Sequence, residues 1–255
     1  KYIFDLELCY YILSMLKFLS RRMSSSYSLG IFSNASELQI QQMNEKIVLV
    51  DKNDKVLGSV SKRDSHELQI DGNSQLHRAF SVFLFNSKNE LLLQQRSASK
   101  VTFPNYLTNT CCSHPRFNQE ELVEYNHLGV KLAAQRRLLY ELGIAEEQVP
   151  IEAMHHLTRI HYFAKYNHHW AEHELDHVIL IKSDVDLSNI NSDEVQHTQY
   201  VNQNQLRIMM DDKKFKATPW FRYIYEGFLF NWWSKLDDLS TCQDDLIHRA
   251  GNQTI

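Results

Sequence analysis

Leu128-Gly129-Val130-Lys131-Leu132-Ala133-Ala134-Gln135-Arg136-Arg137-Leu138-Leu139-Tyr140-Glu141-Leu142-Gly143-Ile144 is the stretch on which the fold turns. Its run from Leu128 to Leu142 reads as helix, the main part of a helical pattern that starts at Gln119. Ala134, Leu138 and Leu142 recur at four-residue spacing and so share one face. Gly143 supplies the C-cap. Outward from this helix the pattern changes to strands. Upstream, Ile47–Val50 and Val56–Gly58 flank the turn Asp51-Lys52-Asn53-Asp54. Ala79–Phe85 and Glu90–Gln95 flank Asn86-Ser87-Lys88-Asn89 in the same way. Downstream, Leu157–Ala164, Ala171–Ile181 and the shorter Gln196–Val201 read as strands. Thr218-Pro219 opens a last helix, with Thr as N-cap and Pro in the first helical position. That helix carries Phe221, Ile224, Phe228 and Trp232 at three- and four-residue spacing. Strands with helices between and after them predict an α/β (α+β) domain.

Thr108-Asn109-Thr110-Cys111-Cys112-Ser113-His114-Pro115, between the second strand pair and the helix, gathers two thiols, three hydroxyls and an imidazole. Pro115 and the polar residues argue for a loop rather than a plain core strand. A polar loop held by rigid elements is where catalytic groups tend to sit. Cys112 reads as a proton-transfer group and His114 as a metal ligand; a buried free cysteine beside a satisfied histidine is the alternative. On a strand, residues two apart point the same way, so Trp170, Glu172 and Glu174 share a face and His173 projects from the other. Two carboxylates side by side repel unless a cation lies between them or one stays protonated. His66 and His77, with His114, Glu172 and Glu174, complete a set of three nitrogens and two oxygens. Such a set suits Zn, Mn or Mg, the nitrogens favouring the transition metals. An exposed polar strand face is the alternative. Lys62, Arg96 and Lys100 form a scattered basic set, read either as solvated surface or as an anion site. The chain has only seven glycines and no Gly-rich phosphate loop, which argues against a Walker or Rossmann site.

The chain has 255 residues, 43% of them hydrophobic, which supports a sizeable core. A net charge of −4 gives no global attraction to nucleic acid or an anionic membrane. An anionic substrate therefore needs a local basic pocket. Of the four cysteines, Cys111 and Cys112 are adjacent, a placement poor for a disulfide and consistent with a reducing compartment. Seven of the thirteen histidines lie between His155 and His177. Most of that run reads as solvated surface. Residues 1–43 read as an N-terminal tail, 44–240 as the folded domain and 241–255 as a C-terminal tail. Asp5, Glu7 and Lys17 interrupt the apolar run Tyr2–Leu19, which argues against a bilayer span. Phe18–Asn34 has two arginines, no acids and many serines, a composition compatible with a mitochondrial transit segment. A start at Met23, with the first 22 residues extra, is the equal alternative.

The helix at Leu128–Ile144 resembles a degenerate Nudix box, whose pattern ends Arg-Glu-hydrophobic-x-Glu-Glu-x-Gly-hydrophobic. Arg136 matches, Arg137 and Tyr140 stand where two glutamates belong, Glu141 remains, and Gly143 and Ile144 fit the end. Together with His66…His77, His77–Asn86, Thr108–Pro115, Ala133–Leu138, Trp170–Glu174 and Thr218-Pro219-Trp220, the chain resembles the type 1 isopentenyl-diphosphate delta-isomerases, most of all the animal form, over about Glu45 to Leu236. The resemblance implies a Nudix-like mixed β-sheet sandwiched by helices, with a C-terminal helix. It implies reversible conversion of isopentenyl to dimethylallyl diphosphate through a tertiary carbocation. It assigns catalysis to Cys112, Glu174 and Tyr162, with Cys111 a bystander. His66, His77, His114, Glu172 and Glu174 then hold one divalent ion (Zn, Mn or Mg), and Glu141 holds a diphosphate-bridging Mg. Lys62, Arg96, Lys100 and Ser113 hold the diphosphate, and Trp220 and Trp170 line the hydrocarbon pocket. The expected partner is a small allylic or homoallylic diphosphate, without nucleic acid or membrane insertion. The protein is expected to be monomeric and cytoplasmic, or mitochondrial if residues 1–40 are a transit segment. The competing reading is a Nudix-type diphosphohydrolase.

Overall fold

A computed structural model describes residue 32 and residues 35–251. Both readings of the first 31 residues therefore lie outside the described part. In chain order, α1 (Glu37–Gln42) leads into the hairpin β1 (Lys46–Val50) and β2 (Val56–Ser61), and then α2 (Lys62–His66). The hairpin β3 (His77–Phe85) and β4 (Leu91–Arg96) follows, then two short strands, β5 (Leu107–Thr108) and β6 (Cys111–Ser113). Helix α3 (Leu128–Leu142) precedes the long strands β7 (Met154–Lys165) and β8 (Ala171–Lys182), and β9 (Val195–Val201). Helices α4 (Gln203–Asp211), α5 (Pro219–Gly227) and α6 (Leu229–Trp233) and the edge strand β10 (Ile247–Arg249) close the fold.

The sheet runs β10-β7-β8-β3-β1-β2, with β4 and β6 also on β3, and β5 and β9 on β4. Every residue of β3 is buried, as a central strand covered on both faces requires. It runs parallel to β8 from His77 opposite Glu174 to Phe85 opposite Lys182. Strand alternation splits the interior into two cores. Phe83 and Phe85 of β3 and Val178 and Leu180 of β8 pack with Trp220, Phe221, Ile224 and Trp232 of the C-terminal helices. Phe80, Val82 and Leu84, with Ile179 and Ile181, pack on the opposite face against Ala134, Leu138 and Leu142 of α3. The mixed sheet between helices is thus the expected architecture, with the predicted face of α3 against it.

The structure departs from expectation at several points. The predicted helix from Gln119 begins only at Leu128, because Asn126 and His127 take left-handed backbone angles (φ 49° and 54°) that break the helix. Gly129 is fixed by close approach: a Cβ there would stand 2.3 Å from the Glu121 carbonyl oxygen. The C-terminal helix divides at Phe228, whose φ of −134° is not helical. Thr218 makes no side-chain cap; its hydroxyl meets that of Thr108 at 2.8 Å. The Thr108–Pro115 segment is not a solvent loop. Thr108, Asn109 and Thr110 are fully buried, and Cys111–Ser113 pairs with Phe80–Val82 of β3. Its buried polar groups are satisfied: Asn109 Nδ2 donates to the Val82 and Cys111 carbonyls, and Thr110 Oγ1 to that of Leu92. In the histidine run, His155 and His168 are exposed, but His156 and His177 are buried. Within the segment read as a C-terminal tail, Ile247–Arg249 pairs parallel to Arg159–His161.

Candidate active site

Five side chains from four places in the chain converge at the N-terminal end of β3. His66 comes from the last turn of α2, His77 from the first residue of β3, His114 from just after β6, and Glu172 and Glu174 from β8. All five are buried, and one ligand atom from each lies within 4.8 Å of every other. His66 Nε2 is 2.8 Å from Glu172 Oε2; Glu174 Oε1 is 2.8 Å from His114 Nε2 and 3.6 Å from His77 Nε2. The parallel register that sets His77 opposite Glu174, and the two-residue alternation of β8, make this convergence. His66 Nδ1 lies 2.7 Å from the Lys62 carbonyl and His77 Nδ1 lies 2.8 Å from that of Gln75. A carbonyl at Nδ1 fixes the proton there and turns a bare Nε2 toward the cluster, the usual outer-shell arrangement of metal-binding histidines. Burial, and then the neighbouring His77 and His66, push His114 well down, so it is neutral and able to coordinate. Burial opposes ionisation of Glu172 and Glu174, yet the imidazoles outweigh it and hold both below the ordinary carboxylate range. His77 Nε2 is buried without a hydrogen-bond partner. A divalent cation among these donors satisfies that orphaned atom and relieves the carboxylate repulsion, so the residues fit a metal.

Beside the cluster is a tight cleft of about 30 Å³ of free space, room for a water or two. Lys62, Arg96, Lys100, Thr102, Cys112, Ser113 and Trp220 line it together with His66, His114, Glu172 and Glu174. Alternation along β6 separates the two cysteines. Cys111 is sealed in the α3-side core, while Cys112 is partly exposed and turned to the opposite side. Burial, outweighing the nearby Arg96 charge, pushes the Cys112 thiol up to about 12. It therefore keeps its proton at neutral pH. Arg96 Nη1 lies 3.7 Å from Cys112 Sγ. The buried Tyr162 hydroxyl donates to Glu174 Oε2 and is raised well above the phenol range by burial and then by the Glu174 charge. Trp220 stands 6.0 Å from Tyr162, ring to ring, with its Nε1 donating to Asn109 Oδ1 at 3.2 Å. Trp170 does not line the cleft; it packs with Phe32 and Met43.

The basic residues are joined by a carboxylate that sequence reading missed. Glu194, fully buried, accepts from Lys100 Nζ at 2.6 Å, Arg137 Nη2 at 3.2 Å, and Gln39 and Gln42 Nε2 at 3.0 and 2.9 Å. It ties α1, the box helix and the basic wall of the cleft together. Its position in a polar stretch before β9 carries no periodic signal, so nothing in the sequence marks it. Burial, and then repulsion from Lys100 and Arg137, lowers Lys62 to about 8. Glu141, the surviving box glutamate, is also buried. Arg137 donates to its Oε1 from Nε at 3.0 Å and Nη2 at 2.5 Å, and Gln94 donates to Oε2 at 3.2 Å. The arginine that replaces a box glutamate thus neutralises the one that remains. Asn109, which orients Trp220, and Thr102, in the cleft wall, are further contributors that sequence did not single out.

The model of the NUDIX domain matches residues 75–221. The chain is 50% identical over 208 residues to isopentenyl-diphosphate delta-isomerase IDI1 of Gibberella zeae, covering 80% of this chain and 82% of that protein. It is 47% identical over 217 residues to isopentenyl-diphosphate delta-isomerase 1 of Bos taurus, covering 84% and 95%. It is 49% identical over 199 residues to isopentenyl-diphosphate delta-isomerase I of Camptotheca acuminata, covering 76% and 84%. Among solved structures, DR0079 of Deinococcus radiodurans shares the fold, with a TM-score of 0.50 at 17% identity over 72% of this chain and 100% of that one.

Proposed function

Because the chain belongs to the NUDIX domain family and, within it, to the isopentenyl-diphosphate delta-isomerases, we propose that it interconverts isopentenyl and dimethylallyl diphosphate by proton transfer through a tertiary carbocation. One observation carries this reading. A protonated thiol, Cys112, and an ionised carboxylate, Glu174, share one narrow cleft beside basic residues. An alkene is a very weak base, so its protonation requires an acid held in contact with carbon. With the thiol protonated and the carboxylate ionised, the resting pair holds one proton to give and one place to receive. Acid–base groups on the two sides of a planar allylic unit let one proton enter as another leaves. Tyr162 holds Glu174 by its hydroxyl and steadies the carboxylate as its charge changes.

His66, His77, His114, Glu172 and Glu174 would hold a divalent ion, Zn, Mn or Mg. When bound, it supplies positive charge that keeps Glu174 ionised and in place. Lys62, Arg96, Lys100 and Ser113 would bind the diphosphate, and Glu141, released from Arg137, a bridging Mg. Trp220 faces the hydrocarbon pocket, where an aromatic ring stabilises a cation by about 0.5–2 kcal/mol. That is small beside the ~8 kcal/mol or more that catalysis typically supplies. Positioning and a water-poor cleft must account for most of the rest. Diphosphate hydrolysis is disfavoured, since the box helix carries Arg137 and Tyr140 where that chemistry gathers carboxylates around Mg. Fungal, bovine and plant relatives lie within three points of one another in identity, so the likeness to the animal form rests on motifs alone. No helix among the described residues is long and apolar enough to cross a membrane.

The test is isomerisation in deuterated water, following deuterium exchange and the allylic product together. Cys112→Ala is expected to lose at least a hundredfold in kcat while Cys111→Ala stays within a few-fold of the parent. Full activity in purified Cys112→Ala refutes the assignment of that thiol.

A further inference from the structure

On the α3 side of the sheet, away from the cleft, three histidines from distant parts of the chain meet. His127 immediately precedes α3, His156 lies on β7 and His177 on β8. One ring nitrogen of each lies within 4.8 Å of the others. The β7–β8 register shifts between His156 and Thr158. Such a bulge re-aims side chains, and here His156 Nε2 stands 3.0 Å from His177 Nδ1. His177 Nε2 is 2.8 Å from Asp54 Oδ2. That carboxylate fixes the His177 proton on Nε2 and leaves Nδ1 bare, as an outer-shell carboxylate does for a metal-bound histidine. We propose that His127, His156 and His177 form a second metal site, for a first-row transition ion bound through imidazole nitrogen.

The spacing suits this. Two nitrogens on one tetrahedral zinc stand roughly 3.3 Å apart, so the His156–His177 pair needs to open only slightly. His127 completes the set by rotation. Its ring now lies flat on His156, centroids 3.5 Å apart and planes 9° from parallel. Stacked rings cannot both aim at one ion, but His127 is half-exposed at the wall of a cleft of about 430 Å³. Neither of its ring nitrogens has a hydrogen-bond partner among the described residues, and it occupies a helix N-cap without capping. Holding Asn126 and His127 in left-handed backbone costs energy, which places the ring where a helical residue would not.

The neighbouring charges select the ion. Arg78 Nε takes Asp54 Oδ1 at 2.7 Å and Arg159 Nη1 lies 3.4 Å from Oδ2. Lys131 is also nearby. Asp54 is thus an outer partner rather than a ligand, and the other carboxylates of the cleft, Glu124 and Asp245, are matched by Arg78, Arg159 and Lys131, a balance that does not favour a hard cation such as Mg or Ca. Zinc, cobalt, nickel and copper(II), which draw affinity from imidazole itself, remain.

The site is independent of the isomerase reading, and its test does not use activity. The full chain, stripped by chelation, is dialysed against Zn(II) and its bound zinc counted by elemental analysis. His156→Gln should hold one ion fewer per chain than the parent. His127→Asn, which removes the imidazole but keeps a residue type that tolerates the left-handed backbone, should bind that ion at least tenfold more weakly by competition with a chromogenic chelator. Zinc uptake by His156→Gln equal to the parent's, or an unchanged affinity in the His127 variant, overturns the proposal.

Discussion

Glu194→Gln separates the charge of the buried hub from its shape. Glutamine keeps an acceptor for the amides of Gln39 and Gln42 and fills the same volume. It removes the negative charge that meets Lys100 Nζ at 2.6 Å with only 8% of the lysine side chain exposed. Arg137 retains Glu141, so Lys100 alone is stranded. Leaving one buried charge unpaired costs about 3–5 kcal/mol, a large share of the roughly 5–15 kcal/mol that holds a domain folded. The pH dependence follows from the direction of the Glu194 shift. Burial opposes its ionisation, but Lys100 and Arg137 outweigh that and hold its folded pKa well below the ordinary 4.5. A carboxyl lowered in the folded state stabilises at pH above its unfolded value. That stability is lost as pH falls toward the folded value. Urea unfolding at pH 7 should therefore show the full loss for the variant. Below about 4.5 the gap between parent and variant should close by about 1.4 kcal/mol per pH unit. A loss under about 1 kcal/mol at pH 7, or a gap that does not narrow in acid, would refute the hub as an electrostatic anchor.

Gly129→Ala should destabilise by about 1–3 kcal/mol, lowering the melting temperature, because the added Cβ meets the Glu121 carbonyl at 2.3 Å; helix propensity alone predicts a gain of up to about 1 kcal/mol, so the sign of the change decides. kcat/KM should fall as pH rises through about 8, where Lys62 gives up its proton and the anion-facing wall loses charge; a pH–rate profile measured on Lys62→Gln should lack that limb, and an unchanged limb would remove Lys62 from substrate binding.

The sandwich was legible because β7 and α3 bury a face at the spacing their geometry imposes and β3 and β8 carry the long apolar runs of strands covered on both sides. The same alternation predicted that Glu172 and Glu174 point together, and they do. It failed at Asn126-His127 and Phe228, where a break in backbone angle interrupts a pattern of residues that otherwise suits a helix. It failed for Thr108–Pro115 for a different reason: polarity was taken for exposure. There the buried hydroxyls and amide are satisfied by carbonyls of β3 and β4 and by Thr218, residues that no local window contains. The histidine run misled in the same way, since burial of His156 and His177 depends on α3 and the β1–β2 turn crossing that face.

The box helix shows why the site could not be read from its strongest motif. A helix of this kind gathers carboxylates to hold Mg, and here two of those positions carry Arg137 and Tyr140. Arg137 does not simply delete a ligand; it occupies Glu141 and reaches Glu194, converting the metal-binding turn into a buried ion network. Tyr140 completes that network, accepting from Gln42 Nε2 at 2.9 Å while its ring lies 4.8 Å from the Arg137 guanidinium. The His/Glu cluster lies on the other face of the same sheet, where β3 and β8 run parallel and set His77 opposite Glu174. The box helix, through Arg137 and Glu194, braces Lys100, and β6 presents Cys112 across the sheet from Cys111. One residue of alternation therefore separates a sealed thiol from one that faces the cleft, and that difference depends on the register of β6 against β3, not on the composition of the loop.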